Sequence, residues 1–253
     1  MMALPAAEDY IDIHTHGACQ VTGIFSVEVL MAHEGKEPED LPGLAYTYGI
    51  HPWYLDESGH DTLISSVKKL TANPLVVAIG EAGFDKIKGP SMELQRKTFE
   101  EQVLISEEYR KPVVVHCVRA WDELLAVNKK MRPRMPWLVH GFRGKRDLAL
   151  QLIEKGMYLS FWFDFILKPE SSQLVRSLPV DRIFLETDGS GVDIRDIYYK
   201  VSVDLGFTVE ELKSQIILNY RDFFKTLFNH GEISPPTGVS KKSCFTPKPP
   251  KGG

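Results

Sequence analysis

The amino-acid sequence predicts an α/β fold, a single (β/α)8 barrel. Eight short apolar segments have the length and the β-branched or aromatic composition of buried strands. Most of them are separated by segments with helical apolar spacing, and such alternation implies a parallel sheet. Eight units in about 230 residues fit one closed TIM-type barrel. A doubly wound open sheet is the alternative, but no Gly-x-Gly-x-x-Gly turn supports it.

The predicted strands are runs of apolar residues bounded by polar residues, Gly or Pro. Between the second and third strands the chain is rich in turn residues from Pro38 to Gly43, so the barrel can be distorted at a short second β/α unit. In chain order the predicted strands cover residues 10–13, 24–29, 45–50, 75–80, 113–115, 137–139, 158–163 and 182–185.

Six helices are predicted from apolar spacing and from signals at their ends. Ser91 can cap the second helix, and Thr208-x-x-Glu211 is a capping box at the start of the last. Gly156 is a typical residue after a helix C-terminus. The predicted helices cover residues 61–71, 91 to before Pro112, 121–130, 145–155, 171–178 and 208–227.

The composition is that of a globular protein, with 43% hydrophobic and 25% charged residues among 253. We expect one barrel domain over residues 1–230 and a Pro/Lys-rich tail over 231–253, either disordered or lying on the surface. No apolar run approaches the roughly 20 residues that cross a bilayer. The N-terminal residues 1–8 do not have the pattern of a signal peptide.

The net charge limits the kinds of binding partner that the sequence predicts, and the cysteine content indicates the cellular compartment. A net charge of −4 provides no overall basic field, so any contact with nucleic acid would be local. The three cysteines form no Cys-x-x-Cys pair, which is typical of reduced thiols in a cytoplasmic protein. The sequence carries no signal for oligomerisation, and we take a monomer as the default.

Residues of the metal-ligand type follow the C-terminal ends of the predicted strands. His14 and His16 are spaced i, i+2 after the first strand, so their imidazoles share one face. Alone, this pair could equally be one buried, hydrogen-bonded histidine and one loop histidine. Barrel active sites lie at the C-terminal face of the sheet, so side chains from all these positions converge. The others are His51, Glu81, His116, His140 and Asp188.

Metal binding explains this convergence better than a structural role does. Several uncompensated ionisable groups in one pocket would be costly unless cations neutralise them. Without His51, which is predicted to bind substrate, the set has four imidazoles and two carboxylates, which suit Zn, Mn, Fe, Co or Ni better than Ca. Six ligands exceed the three that a single catalytic zinc keeps, so two ions bridged by a carboxylate fit the count. Glu81 is the natural bridge because it comes from the middle of the strand order.

Six motifs in order along the chain resemble those of one known family. They are His14-x-His16, Gly49-Ile50-His51-Pro52, Gly80-Glu81-Ala82-Gly83-Phe84-Asp85, His116-Cys117, His140-Gly141-Phe142-x-Gly144 and Glu186-Thr187-Asp188. The set resembles the TatD family, metal-dependent hydrolases of the amidohydrolase superfamily, many of which are described as deoxyribonucleases. The resemblance covers nearly the whole barrel.

The resemblance implies a role for each matching residue. His14, His16, Glu81 and Asp188 would hold one divalent ion. A second ion would be held by Glu81, His116 and His140. The resemblance thus implies one or two divalent ions, which can be Zn, Mn, Mg, Ni, Co or Fe. Asp188 would also act as the base for the attacking water, beside Glu81 in the catalytic pair.

Three departures from the family pattern leave the substrate open. Ala82 to Asp85 replace the usual Ile-Gly-Leu-Asp, and His140 to Arg143 replace His-Cys-Phe followed by a small residue. Gly189 and Ser190 follow Asp188 without the usual proline. None removes a metal ligand, but barrel loops set specificity.

Three further residues are predicted to bind substrate. His51, Arg119 and Arg143 can each contact a phosphate oxygen. The alternatives are that His51 braces its loop and that the two arginines are solvated surface residues. Asp85 can orient a ligand histidine or cap the following loop, and Trp53 can stack on a base or belong to the core.

Three hypotheses about function follow. The first is a metal-dependent phosphodiesterase that cleaves DNA or another nucleotide-derived phosphodiester, as the resemblance implies. The second is a related metallohydrolase of a carboxylic ester, lactone or amide, including an ester on tRNA. The third is a non-catalytic, metal-stabilised binding protein, against which the presence of Asp188 argues.

Overall fold

Eight parallel β-strands lie side by side in chain order in the computed structural model, which describes residues 4–228. This confirms the predicted barrel. The predicted tail at 231–253 lies outside the described residues. The strands are β1 (Tyr10–Thr15), β2 (Ile24–Met31), β3 (Leu44–Gly49), β4 (Val76–Asp85), β5 (Val113–Val118), β6 (Trp137–Phe142), β7 (Tyr158–Phe161) and β8 (Ile183–Leu185).

Helices cover the outside of the barrel, most of them between consecutive strands. They pack through apolar faces such as that of the eighth helix, where Leu212, Ile216 and Tyr220 are buried. No helix of the described chain has the length and apolar composition to cross a membrane. The helices are α1 (His60–Thr71), α2 (Met92–Tyr109), α3 (Trp121–Met131), α4 (Arg146–Glu154), α5 (Phe163–Ile166), α6 (Ser171–Arg176), α7 (Ile194–Leu205), α8 (Val209–Phe223) and α9 (Lys225–Phe228).

The first two β/α units carry no α-helix. The described chain between β1 and β2 is a loop, and between β2 and β3 it contains only the 3-10 turn Ala32–Glu34. This agrees with the expected distortion near the second unit. The first unit is reduced as well, so the loop after β1 lies at the rim without a helix beside it.

Several element bounds differ from the prediction. The seventh strand ends at Phe161 rather than residue 163, because α5 begins at Phe163. The predicted C-terminal helix has its capping box but ends at Phe223, and α9 follows after a break. No helix is predicted from the sequence between Asp188 and Thr208, and this prediction was wrong, because α7 begins after the capping residue Asp193.

The barrel is nearly closed, and side chains bridge its seam between β8 and β1. The Tyr198 hydroxyl on α7 accepts from Ile11 N at 3.0 Å and donates to Ile11 O at 3.1 Å. The Asp12 carboxylate accepts from the Thr187 amide at 3.0 Å and from its hydroxyl at 2.6 Å. These bonds satisfy the backbone that a strand ladder would otherwise pair. They fix β1 against the segment that carries Asp188.

Candidate metal centre

Glu81 on β4 lies at the centre of a ring of imidazoles, and it is 3% exposed. Its Oε1 lies 2.6 Å from His116 Nδ1 and 2.7 Å from His140 Nε2. Its Oε2 lies 3.6 Å from His16 Nε2 and 3.7 Å from His14 Nε2. The sequence-predicted ligands from β1, β4, β5 and β6 therefore converge on one carboxylate.

Close packing of β4 against its neighbour fixes the position of Glu81. Gly80 has a φ of +144°, a conformation that favours glycine. A Cβ at Gly80 would lie 2.5 Å from Val114 O on β5. The glycine thus allows the close strand approach that brings Glu81 towards His116.

Asp188 completes a first ligand group with His14 and His16. Its Oδ1 lies 3.6 Å from His14 Nε2 and 3.5 Å from His16 Nε2. The Asp188 amide donates to His14 O at 3.1 Å, and the residue has a φ of +51°. Gly189 then packs on His16, since a Cβ there would lie 3.0 Å from His16 Cβ and O. The loop after β8 is therefore tied to the end of β1.

The spacing of this group fits a divalent ion. Both ring nitrogens of His14 are buried without a hydrogen-bond partner in the described chain, an unfavourable state for a polar group. Its Nε2 is 3.6 to 3.7 Å from two carboxylate oxygens, too far for a hydrogen bond. Ligand atoms that share one ion at about 2.0–2.2 Å lie roughly 3–4 Å apart. The contacts of His14 and His16 with Glu81 and with Asp188, at 3.5 to 3.7 Å, have this spacing.

A second ligand group consists of Glu81, His116 and His140, and a carboxylate lies behind each histidine. His116 Nε2 is 3.3 Å from Asp85 Oδ2, and His140 Nδ1 is 3.7 Å from Glu186 Oε1. A carboxylate that is hydrogen-bonded to a ligand histidine fixes its tautomer and raises its basicity. Asp85 does so for His116, whereas His140 Nδ1 has no hydrogen-bond partner in the described chain. Nδ1 of His116 and Nε2 of His140 both contact Glu81 Oε1, and an ion bound to these three atoms would replace the two hydrogen bonds.

His51 also reaches Glu81, but its ring is held as a hydrogen-bond donor. Its Nδ1 accepts from the Trp53 amide at 3.1 Å, so in the neutral ring the proton is on Nε2. Burial lowers the pKa of His51 and favours that neutral form. The Nε2–H group lies 3.2 Å from Glu81 Oε1. This tautomer donates to an oxygen rather than binding an ion.

The electrostatics keep both carboxylates ionised. Burial alone would raise the pKa of Glu81, but the imidazoles of His140 and His116 outweigh it and hold that pKa well below its usual range. Burial alone would also raise the pKa of Asp188, but the neighbouring imidazoles of His14 and His16 outweigh it and lower that pKa. The two carboxylates raise the pKa of His16 to about 9 against its burial. Ion binding must displace this proton, so metal uptake releases protons.

The comparisons with known proteins identify the family of this chain. The sequence model described as TatD related DNase matches residues 18–225. The chain belongs to this family. A relative named 3'-5' ssDNA/RNA exonuclease TatD, from Erwinia billingiae, is 34% identical over 176 residues, which cover 66% of this chain and 67% of the relative. Another of that name, from Pantoea vagans, is 29% identical over 228 residues, covering 81% and 86%.

Solved structures of TatD proteins share the fold. The TatD homologue YjjV of Escherichia coli K12 superposes with a TM-score of 0.72 at 20% identity, covering 87% of this chain and 99% of that one. A TatD family hydrolase from Entamoeba histolytica gives 0.67 at 17% identity, covering 88% and 99%. These likenesses support the barrel architecture of the TatD chain described here.

The two predicted substrate arginines line a cavity beside the second ligand group. This arginine-side cavity, of about 340 Å³, touches His116 and His140. Arg119 and Arg143 on its wall are exposed, and the Arg143 guanidinium lies 5.0 Å from the Trp162 ring centre. The lining contains no Asp or Glu. The cavity is thus positively charged next to the metal ligands, which suits a phosphate.

Asp85 and Trp53 form a linked pair behind His116. The Trp53 indole N–H donates to Asp85 Oδ2 at 2.6 Å. Asp85 Oδ1 accepts from the Ile87 and Lys88 amides at 2.7 and 3.0 Å. Asp85 therefore orients His116 and also holds the following loop, so both sequence-based alternatives for this residue are realised.

Replacing Asp85 by asparagine is expected to weaken metal binding at the second group. The amide has no negative charge to fix the His116 tautomer, and loss of such a partner costs about 10- to 100-fold in metal affinity. Competition against a chromophoric chelator measures this affinity. The matched control is Asp122→Asn, whose carboxylate is 70% exposed and pairs with Lys86. Equal affinity in both variants would remove Asp85 from the site.

Glu186 belongs to the centre, although the sequence analysis gave it no role. It is fully buried, and its Oε1 accepts from the Gly141 amide at 2.7 Å while Oε2 accepts from the Ser160 hydroxyl. It lies behind His140 only because β6, β7 and β8 are neighbours in register. The Glu186-Thr187-Asp188 motif marks the segment, but strand register decides the contact.

Proposed function

We propose that this chain is a divalent-metal-dependent phosphodiesterase that removes nucleotides from the 3' end of single-stranded DNA or RNA. The observation that carries the proposal is the convergence of His14, His16, His116 and His140 on Glu81, with Asp188 beside His14 and His16. The names of the Erwinia billingiae and Pantoea vagans relatives support the direction and the substrate. A cytoplasmic location and a monomeric state remain predictions.

Because two groups of ligands share Glu81, we expect the site to bind two ions. His14, His16, Glu81 and Asp188 would hold one, and Glu81, His116 and His140 the other. Such ions supply Lewis-acid activation of the water and of the phosphate in hydrolysis. An ionised Asp188 beside the first group can take the proton of the attacking water.

The remaining residues position the substrate. Arg119 and Arg143 lie beside the second group and can pair with phosphate oxygens of the strand. The Nε2–H group of His51 points towards Glu81, where it can donate to a substrate oxygen. Trp162 under Arg143 offers a flat surface for a base.

The test compares metal-stripped and reloaded protein on single-stranded DNA labelled at its 5' end. Stripped protein is expected to be inactive, and Mg, Mn or Zn should restore a ladder that shortens one nucleotide at a time from the unlabelled 3' end. Activity that is indifferent to a chelator would overturn the proposal. A higher kcat/KM for carboxylic esters or lactones than for phosphodiesters would also overturn the proposal.

A further inference from the structure

A second cavity borders the metal ligands on the opposite side from the arginines. This β1-side cavity, of about 380 Å³, lies between the loop after β1 and the segment after Asp188. His16 and Gly189 are on its wall, so it reaches the first ligand group. Its volume is within the range of about 300–1,000 Å³ typical of small-ligand sites.

The two cavities differ in charge. The arginine-side cavity has Arg119 and Arg143 and no acidic residue on its wall. The β1-side cavity has the carboxylates of Asp12 and Asp193 and the guanidinium of Arg195. Arg195 is bound to Asp193, with Nε at 2.9 Å from both carboxylate oxygens. Its wall in the described chain therefore offers no uncommitted arginine or lysine for a run of phosphates.

The lining of the β1-side cavity suits an uncharged nucleoside. Val21, Ile24 and Val192 provide apolar surface, and the hydroxyls of Thr15 and Ser26 lie among them. Small-molecule sites combine apolar walls with a few polar groups in this way. A continuing polyanionic strand would find no uncommitted arginine or lysine on this part of the described chain, because Arg195 is paired with Asp193.

We infer that the β1-side cavity binds the terminal nucleoside of the strand, with the rest of the strand on the arginine side. The inference rests on the proposed function. Water oxygen then bonds to the phosphorus held at the ligand groups, and the bond from phosphorus to the 3' oxygen of the preceding nucleotide breaks. That oxygen takes a proton, and the terminal nucleoside 5'-monophosphate leaves. A strand that ends in this cavity is cut one nucleotide at a time.

Cys19 gives a chemical probe of this cavity. Its thiol is exposed and lies on the β1-side wall. Cys117 is only partly exposed, so a bulky maleimide reaches it less readily than it reaches Cys19. Cys244 lies outside the described residues and is removed as Cys244→Ser. In that background a bulky maleimide modifies Cys19 selectively.

The experiment compares two substrates before and after this modification. We expect kcat/KM for a short single-stranded oligonucleotide to fall by about tenfold or more, as loss of a fitted pocket does. Hydrolysis of bis(p-nitrophenyl) phosphate, which has no nucleoside, should change by less than about twofold. A deoxynucleoside 5'-monophosphate should also slow the labelling of Cys19 in metal-loaded protein.

Controls separate the inference from the proposed function. In the Cys19→Ser, Cys244→Ser protein, maleimide treatment should change neither activity relative to the same protein left untreated. The Val21→Trp substitution fills the cavity without any reagent. Its matched control is Val203→Trp, which adds the same side chain on the exposed side of α7, outside the cavity. Unchanged oligonucleotide cleavage in the labelled and Val21→Trp proteins would overturn the inference. If unmodified protein cleaves neither substrate, the proposed function fails instead.

Discussion

Replacing Asp188 by asparagine is expected to lower kcat on single-stranded DNA by about 10³-fold, the typical effect of losing a general base. The amide cannot take a proton from the attacking water. Because asparagine keeps one oxygen ligand and the backbone amide that bonds His14 O, the fold is expected to persist. Single-turnover kinetics on 5'-labelled DNA measure the chemical step directly.

The control for this variant is Asp147→Asn, whose side chain is 98% exposed in the first turn of α4. It removes the same charge from the surface and is expected to leave kcat unchanged. An Asp188→Asn protein that binds metal normally and cleaves at the parent rate would show that Asp188 is not the base. Another group of the site would then have to take the proton of the attacking water.

Replacing Glu81 by glutamine is expected to empty both ligand groups. Glu81 is the only carboxylate shared by the His14 and His116 groups in the described chain, and a neutral amide cannot balance two divalent ions. Metal content measured by elemental analysis after dialysis should fall from about two ions per chain to near zero. Nuclease activity should fall below detection.

The matched control is Glu154→Gln, an exposed glutamate at the end of α4. It is expected to retain the metal content and activity of the parent protein. Circular dichroism at several temperatures reports whether the Glu81→Gln barrel is folded. A folded Glu81→Gln protein that still holds two ions would exclude Glu81 as the bridge.

The barrel was predictable because its strands are short, apolar and end in polar residues. The runs before Glu81, His116 and His140 are almost wholly buried on β4, β5 and β6. Strand ends in a parallel barrel meet at one face, so the sequence indicated the convergence of the ligands. It did not indicate that β4 continues through Glu81 to Asp85.

Other features depend on contacts that a single sequence does not reveal. The apolar spacing of Ile194, Ile197, Tyr198 and Val201 marks α7, but the preceding loop at Gly189 to Gly191 obscured it. Closure of the β8–β1 seam by Tyr198 and Asp12 joins residues far apart in the chain. The position of Glu186 behind His140 likewise depends on the register of three strands.

Anomalous scattering from Mn²⁺-loaded crystals tests the metal centre most directly. We expect two peaks, one in contact with His14, His16, Glu81 and Asp188 and the other with Glu81, His116 and His140. Both should disappear in Glu81→Gln crystals grown in the same way. A fully active nuclease with no peak within about 3 Å of Glu81 would contradict the two-ion centre.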